Sequence, residues 1–335
     1  MESGKIVFAG SIIVDTIKTL DVWPEQGCIA NVISSGRAIG GCVPNTGIDL
    51  KRLAPEVRVS AFAAVGNDDN GDFAVGRLMQ AGIDVSDVGR LDVPTTATDV
   101  MTVKTTGVRT FFCQRGAGKV FDPSAAAFDT LDGDIFHLGY LLLLDALDSP
   151  DPEFGTRAAR LMHLARERGF RTSFDLVSEQ SARVPAVVKP VLAQSDYAVI
   201  NEVEAEAITG VRARADDGTI SERRLETLAR AVAACGVRRL TVIHCPEGSG
   251  ALDAAGRFAF LPSLRLPDGW IRGTVGAGDA FCAGMLYGFL RDWNPVDAMH
   301  LARASAAANL ASDSGTEGAL SLDRTLELNE RFDNR

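Results

Sequence analysis

The sequence predicts an α/β protein with three layers, α/β/α, around a mainly parallel central sheet, plus a small β-sheet that forms a lid. Three observations carry this expectation. From residue 134 onward, short apolar runs alternate with amphipathic stretches, the βαβα order of a parallel sheet covered on both faces. In the run KIVFAG at residues 5–10 no polar residue follows Lys5, as expected of a strand buried on both faces. Two further segments, about 12–36 and 95–117, alternate apolar and polar residues and stand outside that order. They read as half-exposed β pairs belonging to one sheet away from the core.

In chain order, the first strand is followed by Asp15 and by expected lid strands at 16–20 and 29–34. A helix is expected over 45–53, entered through Gly40-Gly41-Cys42-Val43-Pro44, because proline suits a first helical turn. A buried strand at 57–65 runs into the polar turn 66–71, then a helix from about 72 to 80 and a short strand at 83–88. The second lid pair is expected at 98–105 and 109–114. Strands then fall at 135–138, 171–176, 197–200 and 240–244, with helices at 154–168, 186–193, 202–209 and 225–234 between or after them. A hairpin is expected at 251–254 and 258–261, then helices at 278–291, 295–312 and 322–331. No internal repeat, low-complexity segment or linker divides residues 1–335, so a single domain is expected.

With 46% hydrophobic and 23% charged residues, the chain has the composition of a soluble globular protein. A net charge of -10 argues against a nucleic-acid partner. No apolar run reaches membrane-span length, and MESGKIVFAG lacks a basic segment followed by a long apolar one, so no membrane partner and a cytoplasmic location are expected. The six cysteines (Cys28, Cys42, Cys113, Cys235, Cys245, Cys282) form no CxxC pair, and the four histidines form no HxxxH. That spacing argues against a zinc motif or a disulfide framework.

The stretch Gly273-Thr274-Val275-Gly276-Ala277-Gly278-Asp279-Ala280-Phe281 precedes a long apolar run of helical length. Free N–H groups and the positive dipole end make a helix start attractive to anions, and glycines let the backbone approach a phosphate. Asp279 then reads either as a catalytic base beside a phosphate cradle or as a simple N-cap. Asn201-Glu202-Val203-Glu204 follows a buried strand and offers oxygens suited to Mg2+, or else an acidic helix start. Gly40, Gly41, Asn45 and Asp15 suit a polyhydroxyl ligand, or else a turn and helix entry. No GxxxxGK[ST] occurs, and Phe281 occupies the third position of GxGxxG, which disfavours a nicotinamide-dependent dehydrogenase.

Taken together these strings resemble the ribokinase-like family of carbohydrate kinases, also called the PfkB family. The family's motifs are similar to residues 40–45, to the Gly-x-Asp-x-x-Gly segment 66–71, to Asn201–Glu204 as Asn-x-x-Glu, and to residues 274–281. The resemblance implies that Asp279 takes a proton from an acceptor hydroxyl and that Gly276, Ala277 and Gly278 form an anion hole. It implies that Asn201 and Glu204 organise Mg2+ and the triphosphate of ATP, with Glu204 toward the metal. Asp15, Gly40, Gly41 and Asn45 would hold a small sugar. Cys245, Glu247, Gly248, Thr274 and Arg303 would contact the nucleotide. Gly273 stands where the family often carries an Asp that helps bind an activating monovalent cation, so no potassium requirement carries over. Cys245, preceded by His244, replaces the usual glycine of the nucleotide loop, and 174–178 lacks the more usual Asp-Pro-Asn run. Phe111, Phe112 and Arg115 read as lid contacts to the acceptor or as lid core. The expected activity is ATP-dependent phosphorylation of a hydroxyl, a primary one, on a small sugar; the alternatives are a nucleoside kinase of the same fold and a non-catalytic ligand sensor. Exposed lid edges predict a homodimer through the lid.

Overall fold

The computed structural model describes residues 4–335. A nine-stranded sheet forms its centre, in the order Phe258–Pro262, Gly248–Asp253, Leu240–Cys245, Tyr197–Asn201, Arg171–Leu176, Ile135–Leu141, Lys5–Gly10, Arg58–Gly66, Asp84–Leu91. All neighbours from Leu240–Cys245 to Asp84–Leu91 pair in parallel, and the two strands at the other edge are antiparallel. The expected hairpin at 251–254 therefore starts earlier. Gly248–Asp253 folds straight back on Leu240–Cys245 across Pro246 and Glu247.

Helices Cys42–Leu53, Asp69–Gln80, Ala277–Leu290 and Pro295–Asn309 cover one face, burying Val43, Leu50, Leu78, Phe281 and Leu286 against the sheet. Arg157–Glu167, Val184–Leu192, Glu202–Thr209 and Glu222–Ala233 cover the other, with Leu161, Val188, Ile208 and Leu228 inward. Helix Ala277–Leu290 is buried throughout from Asp279 on, which explains its nearly unbroken apolar sequence. Among the described residues, no helix is long and apolar enough to cross a membrane.

The two β segments outside the core do join. Val32–Gly40, Ile13–Leu20, Ala97–Val103 and Arg109–Gln114 make a separate four-stranded sheet in that order. The first segment runs past residue 36 to Gly40, because Ile13 pairs with Gly40 and brings the chain back to the core where it left.

Chain order reverses between Lys5–Gly10 and Ile135–Leu141: later strands spread outward on either side of this pair. Open α/β sheets bind ligands in the crevice beyond the carboxyl ends of such a pair. Gly10, at φ 127°, lies so close to Gly139 that a Cβ would stand 2.4 Å from the Gly139 carbonyl oxygen.

Candidate active site

The glycine stretch turns into helix Ala277–Leu290 through Gly276, which is the N-cap residue at φ 80°. A Cβ there would sit 2.3 Å from the Gly315 carbonyl oxygen, so both conformation and space require glycine. Asp279 does not cap this helix; the N-cap is made without any side-chain bond. Its carboxylate instead faces the crevice. Oδ2 accepts from Tyr140 Oη at 2.9 Å and Asn45 Nδ2 at 3.1 Å, and Oδ1 from Thr46 Oγ1 at 3.4 Å. Burial raises its pKa from the ordinary carboxyl value to about 7, helped by the charge of Asp175 and opposed by these three bonds. Such an acid ionises near neutral pH, where a base is most effective.

Asn45 reaches Asp279 from helix Cys42–Leu53, which begins two residues before Pro44 and three before the expected start. Gly41 caps it at φ 91°, where a Cβ would lie 2.5 Å from the Ser11 carbonyl oxygen. Gly40 pairs across the lid root, and a Cβ there would meet Asp15 Oδ2 at 2.7 Å. Burial raises Asp15 to about 6, partly offset by a bond with Thr98. Thus Asp15, Gly40, Gly41 and Asn45 line up where the lid joins the core. Tyr140, Thr46 and Asp175 were not foreseen from sequence. Tyr140 sits at the carboxyl end of Ile135–Leu141 with φ 58°, held there as its N–H donates to Asp175 Oδ1 at 2.7 Å. The usable signal was a tyrosine just beyond a glycine at the end of a buried strand.

Arg115 does not project from the lid. It lies at the lid's base, ion-paired with Asp145 and donating to the Leu142 carbonyl. Phe111 and Phe112 are not lid core either: they are 57% and 52% exposed, and Phe112 stacks on Trp23.

On the far side of the glycine stretch lies a cavity of about 610 Å3, lined in part by Asn201, Cys245, Gly248, Thr274, Gly278 and Arg303. Ile271, Leu266, Phe281 and Leu310 give it an apolar floor, and Ala277 completes the wall shared with the helix start. This size and mixture suit an adenine nucleotide. His244 also lines it; burial pushes its imidazole down to about 4, so it is a neutral ring, tilted against Phe281 at 4.7 Å. Cys245 is no nucleophile: burial raises its thiol to about 11, and it donates to the Gly248 carbonyl at 3.4 Å. Arg303 is held by Asn329, Asn334 and the Pro262 carbonyl. Glu247 is absent from the cavity wall because its carboxylate is clamped by Arg214 at 2.7 and 3.0 Å.

Asn201 and Glu204 form a capping box at the start of Glu202–Thr209. Glu204 Oε2 accepts from the Asn201 N–H and Oε1 from Ser178 Oγ, at 2.9 and 2.8 Å. The helix-start reading of this segment is thus seen directly. Burial raises Glu204 to about 8, with Asp175 and Glu202 adding like charge. At the other end of the stretch, a Cβ on Gly273 would meet the Ser312 carbonyl oxygen at 2.9 Å.

The chain matches the family description "pfkB family carbohydrate kinase" over residues 3–321. It is 26% identical to an ATP-dependent ribose-1-phosphate kinase of Halopiger xanaduensis over 98% of this chain and 99% of that one. It is 23% identical to a 5-dehydro-2-deoxygluconokinase of Clostridium perfringens over 83% and 80%. Among solved structures, ribokinase of Arabidopsis thaliana complexed with ribose and ATP superposes with a TM-score of 0.78 at 17% identity, covering 97% of this chain and 98% of that one. A nucleoside kinase of Methanocaldococcus jannaschii does so at 0.72 and 19%, covering 99% of each. The structural likenesses speak for the fold, and the sequence match spans nearly the whole chain: it belongs to the pfkB family of carbohydrate kinases.

Proposed function

We propose that the protein transfers the γ-phosphoryl group of ATP to a hydroxyl, a primary one, of a small sugar or sugar derivative. One observation carries the reading: Asp279, buried and poised to ionise near pH 7, sits in the first helical turn between the lid root and a nucleotide-sized cavity. Asp15, Gly40, Gly41 and Asn45 hold the acceptor. Asp279 takes the hydroxyl proton as the acceptor oxygen bonds to phosphorus and the bond to ADP breaks. The N–H groups of Gly276, Ala277 and Gly278 receive the charge on the transferring group. Asn201, Cys245, Gly248, Thr274 and Arg303 position the nucleotide.

Burial raises Glu204, and like charge from Asp175 and Glu202 adds to it. Glu204 suits a hard divalent cation such as Mg2+, reached through water because both its oxygens already accept protein bonds. When bound, that ion neutralises phosphate charge.

The relatives' names, a ribose-1-phosphate kinase and a 5-dehydro-2-deoxygluconokinase, favour a sugar or its derivative. The exposed lid aromatics Trp23, Phe111 and Phe112 favour a nucleoside as second reading, since a base stacks on such faces. ADP release across a panel of sugars, sugar phosphates and nucleosides separates them: turnover confined to nucleosides would reject the sugar reading.

Tyr140→Phe removes a bond that favours ionised Asp279. The acidic limb of the kcat/KM profile should move to higher pH, and an unmoved limb would separate Tyr140 from the base.

Homodimerisation through the lid belongs to the same reading. Strands Val32–Gly40 and Arg109–Gln114 are the free edges of the lid sheet, and Ile29, Val32, Ile33 and Val108 are exposed on or beside them. Light scattering should give twice the chain mass, with Ile29→Asp and Ile33→Asp together shifting it toward the monomer. A monomeric mass for the unaltered protein would refute this.

A further inference from the structure

Beneath Asp279 lies a set of side chains for which phosphoryl transfer has no use. Cys42 opens helix Cys42–Leu53, His137 is on Ile135–Leu141, Asp175 is on Arg171–Leu176, and Cys282 is on Ala277–Leu290. All four are buried. The sequence spacing argued against a local zinc motif, and that holds; the fold assembles these residues from four separate segments.

The donor atoms of Cys42, His137 and Asp175 all lie within 4.8 Å of one another. Asp175 Oδ2 is 3.5 Å from Cys42 Sγ and 3.2 Å from His137 Nε2. Cys282 Sγ stands 3.9 Å from the same Nε2. Neighbouring donors around a tetrahedral zinc ion, with zinc–sulfur and zinc–nitrogen bonds of about 2.3 and 2.0 Å, are separated by roughly 3.3–3.8 Å. The Asp175 spacings to Cys42 and His137 fall close to that range, whereas Cys282 approaches only the His137 ring and would turn its thiol toward the trio to complete the shell. The imidazole is oriented from behind: its Nδ1 is 3.1 Å from Ser173 Oγ, the outer bond that fixes a ligating histidine. Two thiols, an imidazole and a carboxylate make a donor set suited to zinc-like cations rather than Mg2+.

We propose that Cys42, His137, Asp175 and Cys282 form a structural site for a zinc-class divalent cation, distinct from any Mg2+ held with the nucleotide. Binding joins both thiolates, the imidazole and the carboxylate to one ion, and the thiol protons leave to solvent. The ion then ties together the four elements carrying Asn45, Tyr140, Asp175 and Asp279, and so fixes the floor of the crevice. The proposal does not depend on the phosphotransfer reading.

Co2+ is the probe. Chelator-treated full-length protein titrated with Co2+ should take up one ion with a thiolate-to-cobalt charge-transfer absorption, and Zn2+ should displace it. Zn2+ should also raise the melting temperature. Cys42→Ala should reduce the absorption to that of a single thiolate and diminish the thermal shift while the far-ultraviolet circular dichroism stays native. Ser173→Ala should weaken Co2+ binding by about 10–100-fold, the usual cost of losing an outer-shell bond. Should Cys42→Ala fail to fold, Cys282→Ala serves, with an absorption reduced to that of a single thiolate. No thiolate absorption at saturating Co2+, or an unaltered spectrum in a folded cysteine variant, would overturn the proposal.

Discussion

Asp279→Asn should lower kcat by about 10²–10⁴-fold, the usual contribution of a positioned general base, while nucleotide affinity by calorimetry changes little. Asparagine keeps the shape and can still bond to Asn45 and Tyr140, but it cannot accept the hydroxyl proton. The cavity proposed for the nucleotide is lined by Thr274, Ala277 and Gly278 but not by Asp279, so binding and chemistry should separate in this variant. Retention of near-full kcat would remove Asp279 from the base role. The same substitution has a stability signature. Folded Asp279 ionises near pH 7, against an unfolded value of about 4. Between those values the native state keeps a proton that the unfolded chain has released, so this residue makes stability fall as pH rises through that window. Asp279→Asn should therefore melt higher than the parent at pH 8, with the difference fading toward pH 4. The acidic limb of the parent's kcat/KM profile should rise through the region near 7.

Gly276→Ala should be nearly as damaging, for a different reason. At φ 80° a side chain is strained by roughly 1–2 kcal/mol. The added methyl also collides with the Gly315 backbone at 2.3 Å, so either the 312–315 loop or the helix start must move. Misplacing one transition-state donor costs about 10²–10³ in rate. We expect a kcat loss of that order together with a lower melting temperature. Gly278→Ala is the contrast: its methyl would meet only His244 Cε1, at 3.7 Å, and the fold should be unaffected. Equal behaviour of the two variants would contradict the local geometry.

The parts of this architecture that depend on local pattern were legible in the sequence. The buried strand 5–10, the alternation after residue 134 and the detached β pairs each declare themselves through hydrophobic period. The lid-core reading of Phe111 and Phe112 fails because alternation shows only that a strand has two faces, not whether anything covers either one. The start of Cys42–Leu53 was placed late because proline is tolerated through a first turn, so Pro44 does not mark the first residue. Asp279 was ambiguous in sequence since a cap and a base look alike there. Its bonds to Asn45, Thr46 and Tyr140 come from partners 234, 233 and 139 residues away. Glu247 was assigned by position in its loop, and Arg214, from a segment read only as a charged loop, turns it away. The Cys42–His137–Asp175–Cys282 cluster is the extreme case, because no two of its members share a segment.

The central claim is phosphoryl transfer to a hydroxyl, and product analysis of a single reaction tests it most directly. Incubated with ATP, Mg2+ and the best acceptor of the panel, the protein should yield ADP and an acceptor phosphate ester in equal amounts by phosphorus NMR. ADP formed with free phosphate and no ester, or tight binding of both ligands with no turnover, would contradict it.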